Sequence, residues 1–201
     1  MLRSRGVKRP AVAPAQGNRL PPGQHPTRRW PVFHHGEVPP FDPGTWDLRV
    51  FGLVEEPLCL SWEAFQALPR IAVTADMHCV TRWSTLDNAW EGVAGGEILA
   101  RAKPLPEARF VLLHAEAGYT ANLPLDAFAG EGTLLATANN GVALSPEHGA
   151  PVRAIVPSRY AWKSAKWLRG IELLAEDRPG FWEGYGYHDN ADPWREERFA
   201  E

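Results

Sequence analysis

The chain has 201 residues, of which 44% are hydrophobic and 22% charged, and its net charge is −3. That is enough apolar material for one sizeable core, with no excess of positive charge to grip nucleic acid or an anionic membrane. Nineteen prolines argue for short strands and extended loops over long helices, and no apolar run approaches the ~18 residues a membrane helix needs.

Residues 1–27 are rich in Pro, Gly, Ala, Gln and Arg and have almost no large apolar side chains. Such a stretch cannot offset its own ordering entropy. It reads as a tail, disordered or laid along the surface, or as a basic docking arm; residues 28–201 form the domain. Arg3, Arg5, Lys8 and Arg9 precede no apolar segment of the ~7–15 residues an export signal carries. Arg28-Arg29 is likewise followed by no apolar segment. A cytoplasmic location is expected.

The domain begins at Trp30-Pro31-Val32-Phe33-His34-His35-Gly36. Neighbouring side chains of an extended chain point to opposite sides, so His34 and His35 are not expected to share one metal ion. Asp42-Pro43-Gly44 is a turn signal. Trp46, Leu48 and Val50 then alternate as one face of a strand. Leu58–Leu60, which contains Cys59, is another strand. Ser61 is positioned to N-cap a short helix that turns Trp62, Phe65 and Leu68 inward and ends at Pro69. A strand starts at Ile71. Trp90–Val93 reads as a turn, and 97–100 as a short helix. Arg109–His114 is a buried strand with Gly118–Leu123 as its antiparallel partner. Leu134–Thr137 is a further strand. Asn140-Gly141 marks a hairpin. Trp167–Leu174 fits helix by its Leu and Glu content, or strand because of Gly170. Phe181–His188 is aromatic and glycine-rich. The sequence contains no internal repeat and no nucleotide-binding glycine loop.

Chemistry concentrates in Asp76-Met77-His78-Cys79-Val80-Thr81-Arg82-Trp83-Ser84, where a thiol follows an apolar strand and opens a polar loop. His78 and Arg82 flank Cys79 and favour its thiolate, a soft ligand for late or soft metals. Cys59 and Cys79 make no CxxC and no zinc spacing. The sequence allows a disulfide between them, and it also allows either thiol to be a small buried apolar group. A nucleophilic Cys79 would need a base such as His78, His114 or His148, but His78 is adjacent and diverges from it, and no orienting acid stands out.

Three blocks together carry a family resemblance. Cys79-Val80-Thr81-Arg82-Trp83-Ser84 resembles the molybdenum-ligand loop of sulfite oxidase-like molybdopterin enzymes. His148-Gly149-Ala150-Pro151-Val152-Arg153 resembles their His-Gly-x-Pro-x-Arg strand. Arg159-Tyr160-Ala161-Trp162-Lys163-Ser164-Ala165-Lys166-Trp167-Leu168 resembles their pterin-phosphate loop. The blocks occur in the family's order, and the likeness runs from about Trp30 to about Arg198.

The resemblance implies an α+β fold, with a mixed sheet, small barrel-like β units and short helices, and it favours a strand at Trp167–Leu174. It implies a molybdenum–molybdopterin cofactor, with tungsten an equal fit to the same ligands. Cys79 would be the metal ligand. His34, His35, Tyr119, Thr120, His148, Arg153, Ala161, Trp162, Lys163 and Lys166 would contact the pterin or its phosphate. Arg82 and Tyr187 would face the substrate, with Trp182 upstream of Tyr187. The activity implied is two-electron oxygen-atom transfer to or from a small, sulfur-containing molecule. No haem motif and no immunoglobulin-like dimerisation domain is present. Electrons are therefore expected to pass to or from a separate haem or flavin protein, and the chain is read as a monomer. The competing readings are a cysteine hydrolase and a binding domain on the same fold without metal.

Overall fold

The computed structural model describes residues 19–200. Two mixed sheets and a few short helices give an α+β architecture. The strands are β1 (His25–Pro26), β2 (Asp47–Gly52), β3 (Leu58–Ser61), β4 (Ile71–His78), β5 (Trp83–Ala94) and β6 (Phe110–Ala115). After these come β7 (Thr120–Pro124), β8 (Leu134–Asn139), β9 (Val142–Ala143), β10 (Arg153–Ile155) and β11 (Leu168–Leu174). The helices are α1 (Trp62–Gln66), α2 (Gly95–Ala102) and α3 (Leu125–Ala129).

Strand β5 is the spine of the six-stranded sheet. It pairs antiparallel with β4 along one edge. Its other edge takes β1 in parallel near Trp83 and β8 antiparallel near Trp90–Ala94. Strand β8 then carries β10 and β9. The five-stranded sheet runs β3-β2-β11-β6-β7, with β2 and β11 parallel and the other pairs antiparallel.

Alternation in β2 does what its sequence dictates. Leu48 and Val50 are fully buried while Arg49 and Phe51 face out; each buried aliphatic contributes roughly 1.5–3 kcal/mol. They join Phe65, Leu113, Leu123, Phe128 and Ile171 in the main core. Ser61 caps α1, its hydroxyl accepting from the Ala64 amide at 3.2 Å. Asn140 and Gly141 both have positive φ (51° and 77°), the geometry of a tight β8–β9 hairpin. The segment beginning at Trp167 resolves as strand, because β11 is hydrogen-bonded on both sides and its Leu168, Ile171 and Leu173 are fully buried.

One reading changes, and the open readings of the cysteines and the tail are narrowed. Trp90–Val93 is strand, the last part of β5, where a turn was expected. Gly92 looks like a turn residue in sequence, but it serves close strand approach: a Cβ there would lie 2.0 Å from the Leu135 carbonyl oxygen, beside a register shift at Glu91–Gly92. Cys59 is an exposed free thiol on the edge strand β3, 3.7 Å from Asp47 Oδ2, so it is no part of the core. Cys79 is free as well, so the two are not bridged. Of the expected tail, residues 1–18 lie outside the described residues. Residues 19–27 lie against β4 and β5: Arg19 pairs with Asp76 at 2.6 Å and Asp87 at 2.8 Å, and Thr27 N donates to Ser84 O at 2.8 Å. Among the described residues no helix is long and apolar enough to cross a membrane.

Two glycine substitutions test the β5–β8 approach. Gly92→Ala is expected to lower stability by about 3 kcal/mol or to prevent folding. Gly96→Ala, in α2 with nothing within 4 Å of the added carbon, is expected to be neutral or stabilising by up to about 1 kcal/mol. Urea titration of both variants followed by tryptophan fluorescence provides the check.

Candidate functional site

The two strands of the β4–β5 hairpin deliver Cys79. Strand β4 ends at His78 and β5 begins at Trp83, so Cys79 is the first residue of the connecting loop. Cys79 N donates to Trp83 O at 2.9 Å, and Arg82 N donates to Cys79 O at 3.0 Å. The chain closes this turn with Arg82 in the left-handed region at φ 72°, a conformation that costs a non-glycine residue about 1–2 kcal/mol. The Cys79 Sγ lies 3.1 Å from Thr81 Oγ1.

Cys79 opens onto a cavity of about 380 Å³. The structure brings His34, His35, Tyr119, Arg153, Ala161, Trp162, Lys166 and Tyr187 to its walls together with Cys79. It does not bring Arg82, Thr120, His148 or Lys163 there. Arg82 turns toward Gly23 and Glu196, 3.8 Å from the Glu196 carboxylate. Thr120 sits in β7, and its carbonyl accepts from Phe181 N at 3.0 Å. His148 stacks on Trp30, itself a cavity residue, with ring centroids 3.8 Å apart. Burial, followed by the charges of Lys166 and Arg153, depresses His148 to about 4, so its ring is neutral at pH 7.

Lys163 is fully buried. Its ammonium bonds Glu183 at 2.5 Å and Asn122 Oδ1 at 2.6 Å. Glu183 also accepts from Trp162 Nε1 at 2.8 Å, and Asn122 donates to Asp177 at 2.9 Å. Burial lowers the Lys163 pKa, and Glu183 opposes that shift. This network fixes the indole of Trp162 behind the cavity wall. Glu183 and Asn122 escaped the sequence reading, since nothing in Trp182-Glu183-Gly184 or in the β7 pattern marks a partner for a distant lysine.

The remaining cations are set differently. Arg153 is buried and donates only to backbone carbonyls: His148 O and Ser164 O, each at 3.0 Å, and Ala154 O at 3.5 Å. Lys166 Nζ donates to Phe33 O at 2.7 Å and Glu147 O at 2.5 Å. Among the described residues neither forms an ion pair with a carboxylate. Burial lowers Arg153 to about 10 and, with Arg153's charge added, Lys166 to about 7. Two basic side chains facing one cavity without an ion-paired carboxylate suit an anion, since Arg can grip a phosphate bidentately and Lys acts as a point charge. The loop that carries Lys166 folds back on β10, which carries Arg153, with Ala154 N to Ala165 O at 2.8 Å and Leu168 N to Val152 O at 2.9 Å.

The wall near Cys79 is aromatic. Tyr187 packs edge-on against Trp162 at 5.1 Å and tilts on Trp182 at 5.1 Å. Burial and the neighbouring Cys79 raise its pKa. Tyr119 donates its hydroxyl to Trp162 O at 2.5 Å, and burial raises its pKa too. Trp83, another wall residue, has its Nε1 buried without a hydrogen-bond partner.

A thiol, two basic side chains and an aromatic wall on one cavity suit an anionic cofactor that carries a metal. The chain matches the oxidoreductase molybdopterin-binding domain family over residues 35–182 and belongs to that family. It is 52% identical over 186 residues to an uncharacterized oxidoreductase, YuiH, of Bacillus subtilis (strain 168), covering 92% of this chain and 94% of that one. It is 30% identical to the catalytic subunit of the protein-methionine-sulfoxide reductase MsrP of Campylobacter jejuni, over 76% of this chain and 59% of MsrP. It is also 30% identical to the NADPH nitrate reductase of Aspergillus niger, over 84% of this chain and 24% of that enzyme. Among solved structures, the sulfane dehydrogenase SoxCD of Paracoccus pantotrophus shares the fold, with a TM-score of 0.64 at 24% identity over 71% of this chain and 41% of that chain.

The cofactor is molybdenum–molybdopterin. The donor set fits it. Among the described residues no group of three or more His, Cys, Asp or Glu side chains is placed to hold a metal. Cys79 is the single thiol among the residues of the cavity wall, which suits a metal whose other donors come with a dithiolene. Arg153 and Lys166 match the terminal phosphate.

The buried pair gives a direct test of Lys163. Lys163→Met leaves Glu183 uncompensated and is expected to cost about 3–5 kcal/mol, with part of the loss recovered in Lys163→Met/Glu183→Gln. Denaturant titration of the two variants decides. An unchanged midpoint in Lys163→Met would contradict the structural role.

Proposed function

We propose that the protein is a cytoplasmic molybdopterin enzyme that moves an oxygen atom to or from a small, uncharged, sulfur-containing substrate, and that it exchanges electrons with a separate haem or flavin protein. The observation that carries this reading is that one cavity wall holds a lone thiol, Cys79, together with two basic side chains, Arg153 and Lys166, that donate to backbone carbonyls and form no ion pair with a carboxylate among the described residues.

When bound, the cofactor supplies two-electron oxygen-atom exchange with a substrate lone pair. The protein's part is to bind, orient and exclude water. Cys79 serves as anchor and electronic tuner, held by the hairpin hydrogen bonds. Arg153 and Lys166 hold the phosphate. Lys166, at about 7 without an anion, is drawn to its charged form by one. Tyr119, His34 and His35 line the pterin's path, and Tyr187 with Trp182 forms the aromatic mouth above Cys79. With His148 behind Trp30 and Lys163 behind Trp162, those two residues act on the cofactor through the walls they brace.

The substrate's charge class follows from the mouth. Sulfite and nitrate call for cations near the reacting centre, whereas here the Arg82 guanidinium lies toward Glu196, off a cavity wall that includes Val80, Trp162, Trp182 and Tyr187. A sulfoxide or thioether suits an apolar, aromatic mouth. The sulfoxide-reductase relative supports the same choice.

The test is isotopic. Holoenzyme from a cofactor-competent host, with a chemical reductant, is expected to transfer labelled oxygen from a small sulfoxide to water at a rate at least tenfold above that for nitrate reduction. Faster turnover of nitrate, or of sulfite with an oxidant, would overturn the uncharged-substrate reading. Arg153→Met is expected to lose most of the bound molybdopterin. For Lys166 the free pKa of about 7 means that the binding form is lost as pH rises. Molybdopterin retention in dialysis should therefore fall above about pH 7 in the wild type, and that dependence should vanish in Lys166→Met.

A further inference from the structure

We infer that Gln24 and Arg198 are positioning residues that clamp the Cys79 loop by two successive peptide carbonyls. The inference rests on the reading of Cys79 as the metal ligand. Both residues lie outside the family-matched region of 35–182.

Gln24 precedes β1, which lies in parallel against the start of β5. Its Nε2 donates to the Cys79 carbonyl at 2.9 Å. Its Oε1 accepts from the Ser84 hydroxyl at 3.2 Å, and Ser84 Oγ lies 2.8 Å from His78 Nδ1. His78 and Ser84 are both buried, and they are register partners across the hairpin. The relay is self-consistent when the His78 Nδ1–H donates to Ser84, Ser84 to Gln24, and Gln24 to Cys79 O. One side chain thus ties the ligand's own peptide to both strands that deliver it.

Arg198 grips the next peptide. It is 7% exposed, its Nη1 donates to Val80 O at 2.5 Å, and its guanidinium lies 4.8 Å over the Tyr160 ring. Its own segment is pinned to that of Tyr187, through an isolated Tyr187–Phe199 bridge and an Ala200 N to Gly186 O bond of 2.9 Å. Arg198 therefore locks the loop carrying Cys79 to the segment carrying Tyr187, the two walls of the mouth. The segments converge at Gly23, with φ +67°, where a Cβ would lie 2.6 Å from Arg82 Nη1 and 2.9 Å from Glu196 Oε1. Outer partners that hold a metal ligand's orientation tune both affinity and electronics, and a site too loose by a fraction of an ångström loses function.

The experiment uses holoenzyme carrying Gln24→Ala, Arg198→Met or Arg198→Lys. Amide hydrogen exchange at Cys79 and Arg82 is expected to quicken at least tenfold in Gln24→Ala and Arg198→Met, while the β2–β11 amides stay at wild-type rates. The paramagnetic spectrum of the half-reduced metal is expected to shift in the same two variants, and Arg198→Lys should restore most of both signals. Loop exchange within twofold of wild type, or acceleration spread evenly over the chain, would overturn the clamp. If Arg198→Met does not fold, Gln24→Ala decides alone. A wild-type preparation without molybdenum would instead sink the oxygen-transfer reading, which separates the two failures.

Discussion

The rest of the site depends on one hairpin turn. Cys79 can stand over the cavity because β4 and β5 bring their ends together at His78 and Trp83, and because Arg82 accepts a left-handed backbone to close the loop. Strain of about 1–2 kcal/mol is held there by strand pairing on both sides and by donors from the first and last described segments. Shift the register by one residue and the thiol would leave the wall. Gly92, further along β5, serves the same end from a distance, since it lets β8 approach closely enough to carry β10 and with it Arg153.

Charge placement then divides the lysines and arginines into two kinds. Lys163 is neutralised by Glu183 and is part of the architecture. Arg153 and Lys166 are left facing carbonyl oxygens, a state that costs solvation and makes sense when an anion completes it. The same loop, residues 159–168, thus supplies one basic side chain to the core and one to the cavity. The distinction is set by which way each side chain leaves the backbone, Lys163 toward β7 and Lys166 toward Phe33.

Much of the fold was legible because local chemistry and global structure agree. Alternation in β2, the Ser61 cap and the Asn140-Gly141 hairpin are local signals, and the structure keeps each. Trp90–Val93 misled because a glycine that serves close strand contact looks the same in sequence as one that serves a turn. Of the site, Cys79, Arg153 and Lys166 were legible as residue types in a recognisable order. The Glu183–Lys163 pair and the Gln24 and Arg198 donors were not, because they join positions far apart in the chain and their side chains carry no periodic signal. Gln24 was hidden further by its setting in a proline- and glycine-rich stretch that reads as a tail.

The central claim is that Cys79 binds the metal of a molybdopterin held in this cavity. X-ray absorption at the molybdenum edge tests it most directly, on wild-type holoenzyme and on Cys79→Ser. The account predicts that the variant loses one sulfur from the metal's coordination shell while the dithiolene sulfurs remain. An identical sulfur shell in the two proteins would contradict it.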